Sequence, residues 1–254
     1  MEMVQKHINI LGGIISNEII APNTYAMVID APGIAQSARP GQFIHVKCGG
    51  LTLRRPISIA STQNKNGQIQ ICYEVRGEGT AWLANLEAGD KIDIIGALGK
   101  GFDVSDLDRK VLLVGGGIGI YPLYSAARVY GANAYAALGF RDKDRINFER
   151  EFYETGCGLK VTTDEEALAT ELALEILSSN KIDLIMTCGP KGMMRAMCDI
   201  AEKHGIRCQV SLEERMACGI GACLVCVCRI GGVNERVCAD GPVFDGSGVD
   251  WGWE

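Results

Sequence analysis

The segment Lys110-Val111-Leu112-Leu113-Val114-Gly115-Gly116-Gly117-Ile118-Gly119-Ile120-Tyr121-Pro122 sets the architecture of this chain. Lys110–Val114 is a strand without apolar–polar alternation, which predicts burial on both faces, as in a parallel sheet. It runs into a glycine loop and then a helical stretch, Leu123–Tyr130, with Pro122 suited to the first turn. Strand, loop and helix start make a cradle in which backbone N–H groups and the helix dipole face an anion. The loop departs from the G-x-G-x-x-G fingerprint, because position 120 is isoleucine.

Downstream, strands are expected at Asn133–Leu138, Leu159–Thr163, Ile182–Thr187 and Arg207–Leu212. Helices are expected at Asp164–Leu177 and Met193–His204. This alternation predicts a parallel sheet covered on both faces. Thr187-Cys188-Gly189-Pro190 then falls at a strand's carboxyl end, where such sheets bind ligands. A plain turn is the alternative there. Its coincidence with the glycine loop on one sheet edge favours a nucleotide crevice.

Upstream the texture is different: short extended segments punctuated by Gly, Pro, Asn and Asp. Asn9–Ile20, Thr24–Asp30, Phe43–Cys48, Ile57–Ser61, Gln68–Val75 and Lys91–Gly96 predict a small antiparallel barrel, with a short helix over Gly79–Leu86. Within it, Arg54-Arg55-Pro56-Ile57-Ser58 puts a cation at a strand entrance held extended by proline. Arginine there can grip a phosphate bidentately, although a solvated edge is the commoner role of such a residue. Arg76-Gly77-Glu78-Gly79-Thr80 adds a glycine pair and a hydroxyl before a helix start, a second place for phosphate oxygens.

At the other end, Cys218, Cys223, Cys226 and Cys238 are spaced Cys-x4-Cys-x2-Cys-x11-Cys, the first intervals being those of a plant-type [2Fe–2S] site. Gly219 and Gly221 give such a loop its backbone freedom. A zinc site would more often show two close cysteine pairs or following histidines, and none follows His204. Cys228 reads as a buried small hydrophobe.

The chain has 254 residues, 47% hydrophobic and 22% charged, with a net charge of −6. That is room for two domains and an appendage, and the charge argues against nucleic acid or an anionic membrane as partner. Met1–Ile10 mixes polar residues into its apolar ones and shows no signal segment, and no apolar run is long enough to span a membrane. A cytoplasmic location with reduced spare cysteines is expected. The expected fold is α+β multidomain: an antiparallel β-barrel over 1–103, an α/β nucleotide-binding domain over 104–211 and a cysteine domain over 212–254.

In order, Arg-Pro-x-Ser, Gly-Gly-Gly-Ile-Gly-x-x-Pro and Cys-Gly-Pro resemble the ferredoxin reductase superfamily. The run Glu214–Cys226, closing with Val237-Cys238-Ala239-Asp240-Gly241-Pro242, is similar to the electron-transfer subunits of NAD-dependent (class 1B) dihydroorotate dehydrogenases. The resemblance implies FAD contacts at Arg55, Pro56, Ile57, Ser58, Cys72, Tyr73 and Glu74, with Gly79 and Thr80 at the pyrophosphate. Glu74 stands where that family often carries a basic residue. The resemblance further implies NAD across Gly115, Gly116, Gly117, Gly119, Cys188, Gly189 and Pro190, and cluster ligation by Cys218, Cys223, Cys226 and Cys238. Ser58 would lie near the flavin's reactive nitrogen and Cys188 by the nicotinamide.

The implied partner is an FMN-containing catalytic subunit, in a heterotetramer with two of each chain. Electrons from dihydroorotate would pass through the cluster and FAD to NAD+, within pyrimidine (UMP) biosynthesis. Gly139-Phe140-Arg141-Asp142 leaves NADP open, since Arg141 suits a 2′-phosphate and Asp142 a ribose hydroxyl. The rival readings are the flavin subunit of a ferredoxin:NADP or hydrogenase-type oxidoreductase, and a redox sensor without turnover.

Overall fold

The computed structural model describes residues 8–252, so the start of the Met1–Ile10 stretch read for a signal segment lies outside the described residues. The first part is a closed barrel of strands β1 (Ile8–Ala21), β2 (Thr24–Asp30), β3 (Phe43–Val46), β4 (Arg55–Gln63), β5 (Gln68–Glu74) and β6 (Lys91–Leu98). Helices α1 (Pro32–Ser37) and α2 (Glu78–Ala84) interrupt the strand run. The order around the barrel is β1-β2-β5-β4-β3-β6, all antiparallel.

Its filling follows from alternation with β-branched residues, which suit a pleated, half-buried surface. Ile29, Ile44, Val46, Ile69, Ile71, Ile92 and Ile94 are all fully buried in one core, with Ile34 of α1 packed among them. Alternation also decides what β3 shows to the outside. With Ile44 and Val46 in the barrel core, Phe43 and His45 face the rest of the molecule.

The second part is a six-stranded sheet in the order β14-β11-β10-β7-β8-β9. Its elements are β7 (Val111–Gly116), α3 (Ile120–Tyr130), β8 (Ala134–Phe140), α4 (Glu149–Glu154), β9 (Gly158–Thr163), α5 (Ala169–Ser179), β10 (Leu184–Cys188), α6 (Lys191–His204) and β11 (Arg207–Ser211). Strands β7 to β11 run parallel. β7 is buried throughout, as expected. Val111 and Leu113 enter a core with α3 and α4, while Leu112 and Val114 enter another with α5 and α6. Strand order reverses between β7 and β10, and such a switch point opens a crevice at the strands' carboxyl ends.

The C-terminal part carries a long irregular loop, the hairpin β12 (Val227–Ile230) and β13 (Val233–Arg236), and β14 (Val243–Asp245). Gly231 and Gly232, at φ 58° and 81°, make the two-residue hairpin turn that demands positive φ at both positions. β14 pairs antiparallel with β11 and so extends the nucleotide-type sheet.

Three expectations need correction. α5 begins at Ala169 rather than Asp164, because Asp164 N–H donates to Phe140 O (2.9 Å) and Glu166 N–H to Thr163 O (2.9 Å), which makes a turn there. α3 starts three residues earlier than expected, directly from the glycine loop. α1 and α4, of six residues each, are additional; both are too short to show helical periodicity.

Candidate functional site

One cavity of ≈ 1140 Å³ runs along the joint between barrel, parallel sheet and C-terminal segment. A site for a single small ligand is seldom larger than about 1,000 Å³, so this one has room for two adjoining ligands. Arg55, Pro56, Ile57 and Ser58 of β4, Cys72, Tyr73 and Glu74 of β5, and Thr80 of α2 form its barrel wall. Gly116, Gly117, Gly119, Cys188, Gly189 and Pro190 form the sheet wall. Two candidate contacts stand behind these walls. Gly79 lies under Arg55, where an added Cβ would stand 2.7 Å from Nε, so glycine lets the guanidinium cross over the helix start. Gly115 packs inside the strand against Ile120 and Leu123, and its role is to let α3 approach β7.

Arg55 makes no ion pair among the described residues and is held only by the Leu53 and Arg54 carbonyls (2.6 and 3.4 Å). A guanidinium in a cavity without a carboxylate partner is fitted to an anion such as a pyrophosphate. Glu74, by contrast, is occupied. It accepts from Arg76 (2.6 Å) and from Arg145 (3.0 Å), the latter reaching across from the sheet. Burial works against its ionisation, but Arg76 and then Arg145 outweigh this and hold the carboxyl below its usual value.

The two sheet loops touch. An added Cβ at Gly119 would strike the Cys188 carbonyl group, one at Gly189 would come within 2.8 Å of Gly116 N, and one at Gly116 within 2.7 Å of Pro190 Cδ. Glycine is required here by proximity. Burial pushes the Cys188 thiol up to about 12, with Ser211 working the other way, so it is a neutral group at the cavity floor. On the far side, Asp142 caps its own turn and pairs with Arg145 (3.3 Å). Asp164, just past β9, does line the cavity, as do Arg141 and the acidic residues Glu213, Glu214 and Asp250. Sequence reasoning passed over Asp164 because it was placed inside a helix; its position just past β9 is the signal that could have found it.

Next to the cavity, the four candidate ligands come together in the irregular loop and the turn after β13. Gly221 N–H points at Cys238 Sγ (3.1 Å), Ala222 N–H at Cys218 Sγ (3.3 Å) and Cys238 N–H at Cys226 Sγ (3.4 Å). Burial tends to raise the Cys218 thiol. The Ile220 amide, the Cys223 thiol and the Ala222 and Cys223 amides overcome this and bring it down to about 7. The sulfurs associate in pairs, Cys218 with Cys223 and Cys226 with Cys238. A mononuclear zinc site needs its ligands around one point. Four cysteines gathered by one loop and the turn after β13, with amides aimed at three of the sulfurs, suit a two-iron cluster. Cys228 sits on β12 with no amide of another described residue aimed at its sulfur; burial, then Glu214 and Glu235, push its thiol up to about 12, as burial does for Cys238.

Comparison with known proteins agrees with this division. The family model "Oxidoreductase FAD-binding domain" matches residues 12–102, and "Iron-sulfur cluster binding domain of dihydroorotate dehydrogenase B" matches residues 213–250. The chain is 41% identical over 243 residues to the "Dihydroorotate dehydrogenase B (NAD(+)), electron transfer subunit" of Caldanaerobacter subterraneus subsp. tengcongensis, covering 91% of this chain and 94% of that one. It is 38% identical to the protein so named in Geobacillus kaustophilus, covering 90% and 93%. Among solved structures it is similar to an NADH-dependent reduced ferredoxin-NADP oxidoreductase, at TM-score 0.86 and 31% identity over 98% of this chain and 92% of that one.

Proposed function

The chain belongs to the family of dihydroorotate dehydrogenase B electron-transfer subunits, and from that premise we propose how its residues divide the work. It is an oxidoreductase subunit with an FAD-binding domain and an iron–sulfur domain, working toward NAD+. The two bound groups supply the exchange between one-electron and two-electron carriage that side chains cannot perform. The carrying observation is that one cavity is walled by the barrel strands, by both sheet loops and by Cys228, Arg229 and Trp251 of the C-terminal segment.

In this reading Arg55 and Thr80 hold the FAD pyrophosphate, Pro56–Ser58 and Cys72–Glu74 line the flavin, and the crossed loops Gly116–Gly119 and Cys188–Pro190 seat the nicotinamide nucleotide. Cys218, Cys223, Cys226 and Cys238 would hold the cluster. The working division is barrel 1–103, nucleotide domain 104–211 and cluster domain 212–254. Asp164 offers its carboxylate to a ribose hydroxyl, which favours NAD over NADP. Ser58 donates toward the flavin's reactive edge, and the neutral Cys188 thiol packs beside the nicotinamide. Each of Ser58→Ala and Cys188→Ala is expected to slow NADH-to-flavin hydride transfer about 100-fold in stopped flow, the lower end of what one positioned group contributes. If both variants keep the parent rate, those two roles are wrong.

The partner is a catalytic subunit bearing FMN, in a heterotetramer of two of each chain, and the assembly works in the cytoplasm. No described helix is long and apolar enough to cross a membrane. Ile220, Leu224 and Val225 stand 44–66% exposed around the outer cluster ligand Cys223, an apolar skin where electrons would enter.

Anaerobic absorbance of the chain copurified with its partner tests the whole reading. Dihydroorotate should bleach the flavin and cluster bands, and NAD+, but not NADP+, should restore them. Should only NADH bleach them, the cofactor sites stand and the pathway belongs to a relative. Equal restoration by NADP+ removes the role given to Asp164.

A further inference from the structure

His45 is fully buried, and neither of its ring nitrogens has a hydrogen-bond partner among the described residues. Leaving a buried donor or acceptor unpaired costs about 1–3 kcal/mol, and native structures seldom do it without a reason. The reason lies beside the ring. An added Cβ at Gly219 would stand 2.9 Å from His45 Cε1 and closer still to Nδ1, so the imidazole is pressed against the residue that follows Cys218. The Cys218 and Arg54 carbonyls both lie near the ring, neither completing a hydrogen bond. Gly219 itself has φ +70°, which commits that turn of the loop to glycine.

The backbone that carries the ring is also pinned. Arg54 Nη1 donates to the carbonyl oxygens of His45 (3.3 Å) and Asp93 (3.1 Å), while its Nη2 spans both Asp93 carboxylate oxygens at 2.9 Å. In the ladder His45 faces Pro56, and Phe43 faces Ser58. One edge of β3 therefore supports the strand that walls the flavin site, while its outer face meets the cluster loop.

We infer that His45 is a positioning residue for the iron–sulfur cluster: an imidazole N–H, on the Nδ1 side, donates a hydrogen bond to sulfur at the Cys218 end of the cluster. A donor aimed at sulfur favours the more negative, reduced form and raises the cluster's reduction potential. The inference rests on the assignment of the cluster to Cys218, Cys223, Cys226 and Cys238.

The test uses the full chain with its partner, and follows an EPR-monitored redox titration alongside iron, sulfide and flavin content. His45→Phe keeps the ring's bulk and removes the donor. It is expected to shift the cluster's equilibrium about tenfold toward the oxidised form, which is about 59 mV for a one-electron couple, with the flavin potential unmoved. His45→Asn places an amide nitrogen near the Nδ1 position and should restore most of that shift. Loss of the cluster in His45→Phe with retention in His45→Asn also supports a donor. A parental potential in His45→Phe, equal shifts in both variants, or cluster loss in both, overturns the hydrogen bond and leaves His45 as packing. Cys218→Ser is the control for the premise: if it retains the cluster signal, the ligand assignment has failed rather than the role of His45.

Discussion

Cys218→Ser should leave a yellow protein without its iron–sulfur signal. Cys218 takes its character from the loop around it, whose amides and Cys223 thiol bring it down to about 7 against the effect of burial. Serine keeps the size and loses the soft thiolate, and with it the pairing at one end of the cluster. Losing even an outer-sphere partner costs a metal site about 10–100-fold, so loss of a ligand should cut dihydroorotate-to-NAD+ turnover by more than about 100-fold. NADH oxidation by a dye that draws on the flavin directly should persist, because no barrel or sheet wall depends on that sulfur. Cys228→Ala is the matched contrast. Cys228 is buried among Val237, Ile230 and their neighbours, and its removal should cost about 1 kcal/mol of stability with the cluster signal intact. Iron analysis and EPR of the two variants decide it. A cluster lost in Cys228→Ala and kept in Cys218→Ser would exchange their roles.

Gly119→Ala should weaken nucleotide binding by up to about 100-fold while sparing the flavin. Its backbone, at φ −67° and ψ −9°, accepts any residue, so the penalty is one of space. The new methyl would have to occupy the place of the Cys188 carbonyl and stand 2.7 Å from Gly189 Cα. Overpacking of this kind costs about 1–3 kcal/mol, up to roughly 100-fold in affinity, and here it drives apart the two loops that seat the nucleotide. NADH titration against flavin bleaching should show KM raised by that factor with FAD content unchanged. Gly117 needs glycine for the opposite reason: there is open space around it, but its φ is +54°.

Much of this molecule could be read from the chain because its main signals are local. The glycine loop at the end of β7 and the punctuated strands of the barrel are local patterns, and the structure has both where they were expected; the cysteine spacing is a local pattern too. What stayed hidden depended on distance. Asp164 reaches the cavity only because β9 ends at the sheet's carboxyl edge. The contact of His45 with Gly219 joins opposite ends of the chain, and no periodicity announces it. Gly79 and Gly115 show a subtler limit, since a glycine in a binding motif can serve a neighbour's packing and never meet the ligand. β14 was missed because three residues after Gly241-Pro242 carry no pattern of their own.

β14 also bears on how chains of this type can be divided. By pairing with Gln209–Ser211 it covers what would otherwise be the open edge of the sheet. An uncovered edge offers its unpaired amides and carbonyls to any passing strand, and natural sheets avoid that exposure. A fragment trimmed to barrel and nucleotide sheet would therefore expose an adhesive flank, and self-association would remove it from solution before its chemistry could be assayed. The cysteine-bearing segment thus also shields one flank of the sheet whose loops line the cavity, and replaces a five-residue edge strand with one of three.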